Sequence, residues 1–98
     1  MKNLSEFSST IRMFAFLIKD GYSVSRAVEI LAQQSAGDIG KMFAKASQLL
    51  KTGASTADAF ASAGFPKELC AIASVGEKSG YMAEALELYG VYLEKATT

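Results

Sequence analysis

The side chains that most often perform chemistry are scarce in this chain. It contains no histidine, which removes the commonest general base and the commonest metal ligand together. Its single cysteine, Cys70, lies in an apolar run and has no second cysteine with which to form an internal disulfide. A lone thiol without a neighbouring base is typical of a buried, unreactive residue in a reducing compartment. The sequence therefore predicts that the chain is not an enzyme.

Glycine and serine are frequent, but their arrangement does not indicate a nucleotide site. No segment has the Gly-x-x-x-x-Gly-Lys-Ser/Thr spacing whose backbone amides cradle a phosphate. Most serines precede predicted helices, where a hydroxyl that caps the helix accounts for them. We expect no cofactor.

Composition favours one compact domain that recognises its partners by shape. The chain has 98 residues, half of them apolar, which suits a single core and a single domain over residues 1–98. Ten basic side chains balance ten acidic ones, so no net charge drives binding to nucleic acid or to an anionic membrane.

The chain also lacks the apolar segments that direct a protein into or across a membrane. The best candidate, Met13–Ile18, is followed at once by Lys19 and Asp20 and is far shorter than the roughly 20 residues of a membrane span. Lys2 and Asn3 are followed by no uninterrupted apolar segment, which argues against a secretory signal. These features predict a cytoplasmic location.

Apolar residues recur every three or four positions through almost the whole chain, which is typical of amphipathic helices. We therefore predict an all-α fold, a compact bundle of six helices without a strand. Glycines and capping residues mark the boundaries. The first predicted helix runs from Leu4 to Asp20-Gly21, the second from Ser23 to before Gly37, and the third from an Asp38 cap to Gly53. The fourth runs from a Ser55 cap, with Asp58 as its capping-box partner, to Gly64. The fifth has Pro66 in its first turn, and the sixth begins after Gly80.

A short pattern repeats along the chain. Residues 21–28 and 53–60 both read Gly-x-Ser-x-x-x-Ala-apolar, and a looser copy begins at Gly80. In the first two copies, small Ala27 and Ala59 stand one turn into a helix, where backbones can approach closely. The repeat predicts three helical hairpins.

The first helix carries more apolar residues than one face requires. Met13, Phe16 and Leu17 widen its stripe. They either complete the domain's own core or form a surface for another chain, which leaves a homo-oligomer open.

Two segments together resemble a known family. They are Phe16–Leu31 (FLIKDGYSVSRAVEIL) and Phe65-Pro66 followed by Val75–Gly80 (VGEKSG). Both are similar to the inner-membrane platform proteins of type II secretion systems and type IV pili. The likeness extends over residues 11–95, and Gly-Glu-Lys-Ser-Gly at 76–80 is its most specific part. The residues that carry this likeness, and that we expect at corners or interfaces, are Gly21, Phe65, Pro66, Gly76, Glu77, Ser79 and Gly80.

The resemblance implies a non-enzymatic scaffold at the cytoplasmic face of the bacterial inner membrane. Its implied partners are the cytoplasmic assembly ATPase and other platform subunits. Members of the family have two such domains and membrane-spanning helices, so the chain is expected to be the first domain of a larger protein, held at the membrane by the remainder. Pilus and secretion machines both remain open. The short segment before the first helix favours a pilus member, of the toxin-coregulated or bundle-forming kind.

The resemblance also raises a calcium site. Some relatives bind calcium through the glutamate that corresponds to Glu77 and an oxygen ligand just after the motif. Here Tyr81 follows Gly80, and a phenol is a poor calcium ligand beside a carboxylate or an amide oxygen. We therefore predict no metal site, with Glu77 ordering a turn or lying at an interface.

Two other interpretations differ in the class of partner. Residues 18–28 imitate a helix-turn-helix, with Arg26 exposed, but phosphate binding needs clustered basic residues and Glu29 follows close by. A generic helical adaptor would share the predicted fold and differ only in its partners.

Overall fold

The computed structural model describes residues 4–96, which form six α-helices and contain no strand. This confirms the predicted all-α bundle. No helix in this range is both long and apolar enough to cross a membrane. The prediction that the chain has no secretory signal depends in part on Lys2 and Asn3. Residues 1–3 lie outside the described residues, as do residues 97–98. The helices are α1 (Leu4–Lys19), α2 (Val24–Gln34), α3 (Gly37–Lys51), α4 (Thr56–Ala63), α5 (Lys67–Ser79) and α6 (Met82–Ala96).

Two serine caps predicted from the repeat are present and equivalent. The Ser23 hydroxyl accepts a hydrogen bond from the Arg26 amide, and the Ser55 hydroxyl accepts one from the Asp58 amide, both at 3.1 Å. Each bond pairs an amide that the first turn of a helix leaves without a backbone partner. The repeat is therefore a helix-start signal that acts the same way in α2 and α4.

Two predicted helix starts are wrong by a residue or two. α3 begins at Gly37 with Ala36 at the cap position, and no side chain caps it. Asp38 lies inside the first turn, where a carboxylate still suits the positive end of the helix dipole. Pro66 stands at the cap position of α5 and not in its first turn. Its carbonyl accepts hydrogen bonds from the amides of Leu69 and Cys70. The missing proline N–H costs nothing, because an N–H at the cap position has no partner within the helix.

Aromatic rings fill the centre of the bundle. The rings of Phe43 and Phe65 lie 4.7 Å apart, and those of Phe60 and Phe65 lie 5.3 Å apart in an edge-to-face arrangement. Phe7 from α1 stacks on the other side of Phe65 at 6.2 Å. Offset and edge-to-face pairs of this kind stabilise a core beyond the apolar area that they bury. Phe65 therefore joins α1, α3 and α4 from the connection between α4 and α5.

The most extensive helix contact joins the two ends of the described chain, α1 and α6. The buried Ser8 hydroxyl donates a hydrogen bond to the Gly90 carbonyl at 3.2 Å. A Cβ added at Gly90 would lie 2.4 Å from Cγ of Arg12, so only glycine lets the helices come this close. The Arg12 guanidinium then reaches Glu87 at 3.1 Å and Glu94 at 2.7 Å on α6.

The apolar flank of α1 divides between the core and the surface. Leu17 is buried, whereas Met13 and Phe16 remain exposed. Ala27 and Ala59 are both fully buried, as the repeat predicts for positions where helices cross. α1 therefore completes the core with one residue of the flank and leaves the other two at the surface.

Candidate interaction surface

The family-motif residues at 76–80 form the corner between α5 and α6. A Cβ at Gly76 would lie 2.8 Å from Cβ of Met82, so this glycine lets the two helices meet closely at the turn. Gly80 adopts a left-handed conformation with φ of 81°, and its amide donates to the Gly76 carbonyl at 3.0 Å. The Ser79 hydroxyl accepts from the Tyr81 amide at 3.2 Å. Gly76, Ser79 and Gly80 therefore build the turn, while Glu77 and Lys78 are exposed on it.

A second corner joins α1 to α2. Gly21 has φ of 103°, a conformation that side chains rarely adopt. The amides of Gly21 and Tyr22 donate to the carbonyls of Ile18 and Leu17, both at 3.1 Å, and so close the end of α1. Tyr22 is left exposed beside the Ser23 cap.

The two corners lie side by side and line one depression of about 510 Å³. The α1–α2 corner contributes Lys19 and Tyr22, and the α5–α6 corner contributes Glu77 and Glu84. The rim thus carries one ammonium group and two carboxylates around apolar and glycine surface. We call this the corner depression. It is a shape that a protein partner could fill and not an enclosed pocket for a small molecule.

Phe65 and Pro66 are not part of this surface. Phe65 is buried in the aromatic core, and Pro66 caps α5 at half exposure. Gly21 does not line the depression either, but it creates the corner that presents Tyr22. Three of the family-motif residues, Gly76, Glu77 and Gly80, therefore line the corner depression. The other four shape the fold behind it: Gly21, Phe65, Pro66 and Ser79.

A groove of about 610 Å³ adjoins the corner depression and runs between α1 and α6. Phe16 on α1 and Leu88 on α6 line it, and both side chains are largely exposed. Lys19, Ala83 and Glu84 line the groove and the corner depression alike, so the two form one continuous surface. We call the second part the α1–α6 groove.

The groups that could react are held in their neutral forms. Burial raises the pKa of the half-buried Cys70 thiol, whose sulfur lies 3.9 Å from the Phe65 carbonyl oxygen. A raised pKa keeps the weakly nucleophilic thiol form. Burial, with a smaller effect from Glu68, raises the pKa of Tyr89 to about 12. Neither group is arranged as an acid, a base or a nucleophile.

Acidic residues do not converge within the described part of the chain. Among residues 4–96, no group of three or more histidine, cysteine, aspartate or glutamate side chains could hold a metal ion. Glu77 lies exposed in the last turn of α5. Its predicted role at an interface stays a prediction.

Three features of the surface were not predicted from the sequence. Arg12 joins two glutamates on α6, Lys19 and Glu84 lie on both depressions, and Gly90 sets the distance between the helices. Of these features, only the role of Gly90 could have been recognised in the sequence. A glycine between Tyr89 and Val91 inside an amphipathic helix lowers helix stability and so indicates a close contact. In the sequence, Arg12, Lys19 and Glu84 have the pattern of ordinary solvent-exposed residues.

Comparison with known proteins decides the family. A family model described as type II secretion system protein F matches residues 10–97, which is nearly the whole chain. The chain belongs to the type II secretion system protein F family. This confirms the resemblance carried by the Phe-Pro and Gly-Glu-Lys-Ser-Gly motifs. Members of the protein F family are inner-membrane-associated platform proteins of type II secretion and type IV pilus machines. No curated protein matches the chain.

Proposed function

We propose that this chain is a non-enzymatic scaffold domain at the cytoplasmic face of the inner membrane, in a machine that assembles type IV pili or drives type II secretion. It docks the cytoplasmic assembly ATPase and other platform subunits, and it does no chemistry of its own. The protein F match over residues 10–97 carries this proposal. The neutral Cys70 and Tyr89 support it, because neither side chain is activated.

The corner depression is the part of the surface that we assign to docking. Its floor is built by turns whose backbone hydrogen bonds are satisfied, so the surface is set before a partner arrives. Preorganised surfaces bind with a smaller entropic cost than flexible ones. Glu77 and Lys78 stand on the α5–α6 corner as exposed charges, which suits recognition of a partner by charge and shape together.

Co-purification with the assembly ATPase of the same machine tests this function. The tagged chain is produced in cells together with that ATPase, and the ATPase is measured in the purified complex. We expect the ATPase to be retained by the wild-type chain and lost from the Lys19→Glu variant, which reverses the one ammonium group on the rim of the corner depression. The matched control is Lys45→Glu, which makes the same charge reversal at an exposed position of α3.

The outcomes distinguish whether the chain docks the ATPase from where on the chain the ATPase docks. If the wild-type chain retains no ATPase, the proposed partner is wrong. If both variants retain it equally, docking occurs elsewhere than at the corner depression. Circular dichroism and urea unfolding of both variants should match those of the wild type, because the two lysines are exposed.

A further inference from the structure

The α1–α6 groove has the shape of a binding site for a helix. Its lining includes two large apolar side chains, Phe16 from α1 and Leu88 from α6, together with the small side chains of Ala15 and Ala83. Grooves of this form accept the apolar face of an amphipathic helix, whose side chains enter at spacings of three and four residues.

The groove walls expose apolar surface that folding has not used. Phe16 is 60% exposed and Leu88 is 71% exposed. Single exposed apolar residues are ordinary, but two that face a common groove form a patch typical of interaction sites. A few well-packed side chains carry most of the binding energy of protein interfaces. A partner bound in the groove would thus bury apolar surface that folding leaves exposed.

The charges at the rim indicate the chemistry of the occupant. Lys19 lies on the α1 side, whereas Glu84 and Glu87 lie on the α6 side. Glu87 already pairs with Arg12, so Glu84 is the rim carboxylate that is most available to a partner. An occupant that is complementary in charge has basic residues along its edge facing α6 and an acidic residue near Lys19.

We infer that the α1–α6 groove binds an amphipathic helix of a partner protein, which places large apolar residues between Phe16 and Leu88 and a basic edge along α6. This inference rests on the proposed scaffold function and names the kind of segment that the scaffold holds.

A second copy of this chain matches the groove less well. Its α6 exposes Leu88 and Tyr92, and Tyr81, just before the helix, is exposed as well. That helix carries three glutamates and a single lysine. Two of these glutamates pair with Arg12 and the third is Glu84 of the rim itself, so α6 of a second copy offers no basic edge to lie along the α6 rim.

Two synthetic helical peptides of about 15 residues, roughly four turns, serve as probes. Both carry the same leucine stripe, and they differ only in having lysine or glutamate along its edges. Their binding to the chain is measured by fluorescence anisotropy. We expect the basic peptide to bind and the acidic peptide to bind at least about tenfold more weakly. Glu84→Lys should reverse or abolish this preference, since it reverses the charge of the α6 rim.

Leu88→Ser and Val75→Ser form a matched pair of variants. Val75 is 65% exposed on α5 and does not line the groove. Val75→Ser therefore removes a comparable amount of exposed apolar surface, but away from the groove. We expect Leu88→Ser to weaken binding of the basic peptide by about tenfold or more, and Val75→Ser to leave it unchanged. Both should unfold at the wild-type urea concentration, because neither side chain is buried.

Three results would overturn the inference: equal binding of the two peptides, equal effects of Leu88→Ser and Val75→Ser, or a wild-type dimer in sedimentation equilibrium that Leu88→Ser abolishes. The last would show that a second copy fills the groove. Failure here is distinguishable from failure of the proposed function. Equal binding of the two peptides with ATPase co-purification intact would sink the groove alone, and specific peptide binding without co-purification would sink the ATPase partner alone.

Discussion

At the scale of single residues, Gly90 explains how the two ends of the chain are held together. Glycine inside a helix costs about 1 kcal/mol relative to alanine. The chain accepts this cost because the missing Cβ leaves room for the Arg12 side chain, which crosses from α1 to α6. Ser8 adds a buried hydrogen bond to the Gly90 carbonyl at the same contact. One small residue therefore makes room for the Arg12 side chain at the largest helix contact.

Gly90→Ala should destabilise the domain by about 1–3 kcal/mol, because the new methyl group collides with Cγ of Arg12. Urea unfolding measures the change. Arg12→Ala removes that Cγ, so the double variant should be more stable than the two single effects predict when added. Additive effects would show that the Arg12 side chain does not cause the strain.

Phe65 is a family-motif residue whose role is structural. Phe65→Ala should cost about 3–5 kcal/mol, because it removes a ring that contacts Phe7, Phe43 and Phe60. Phe16→Ala makes the same change at a position 60% exposed and should cost much less. Thermal unfolding of the pair checks this. Equal losses would contradict the assignment of Phe65 to the core and Phe16 to the surface.

At the scale of helices, the repeat specifies where a helix begins and which residue it buries. The residue six positions after the repeat glycine is buried in every copy: Ala27, Ala59 and Leu86. In the third copy the alanine is shifted to position 85, which is only half-buried, and leucine takes the buried position. The repeat therefore fixes burial at a constant distance from the glycine, while the size of the buried side chain varies.

Ala59→Leu should destabilise the domain by about 1–3 kcal/mol, since position 59 is fully buried where helices pack. The control is Ala61→Leu on the same helix, where the side chain is exposed. That variant should leave the free energy of unfolding nearly unchanged or raise it slightly. Equal destabilisation in the two variants, measured by urea unfolding, would show that crowding at position 59 is not the cause.

An exposed ion pair links α2 to α3 and makes stability depend on pH. Glu29 pairs with Lys51 at 3.1 Å and with Arg26. Hydrogen bonds from Lys51 and then Arg26 lower the pKa of Glu29 below its ordinary value of 4.5. A carboxylate with a lowered pKa in the folded state contributes stability above its unfolded pKa, and this is lost as the pH falls through the folded value.

Glu29→Gln should therefore lower the free energy of unfolding slightly at neutral pH and have no effect at about pH 2, where the wild-type carboxylate is protonated too. Urea unfolding at the two pH values gives the difference. About 1 M salt should reduce the neutral-pH effect, because both partners are exposed to solvent. A difference that persists unchanged at low pH would mean that charge is not its origin.

The fold was more predictable from the sequence than the surface. Apolar periodicity, glycines such as Gly64 and the Ser23 and Ser55 caps define the six helices, because each signal acts within a few residues. The Asp38 cap was misplaced because an aspartate in the first turn and one at the cap both favour a helix start. The link from Arg12 to Glu87 and Glu94 was not predicted, since it depends on how helices distant in sequence pack.

At the scale of the whole molecule, the packing of α1 against α6 brings the α1–α2 corner beside the α5–α6 corner. The result is a continuous surface formed by the corner depression and the α1–α6 groove, with Lys19 and Glu84 on both. Phenylalanines fill the core behind this surface. A closed core beneath an open apolar surface suits the proposed docking of other proteins.

Isothermal titration calorimetry of the purified chain with the purified assembly ATPase of its machine measures the proposed docking itself. We expect saturable binding at about micromolar concentrations, weakened by Lys19→Glu and unchanged by Lys45→Glu. We also expect the chain alone to consume no nucleotide. Absence of binding at concentrations well above this range, with both proteins folded, would contradict the claim that this domain docks the ATPase.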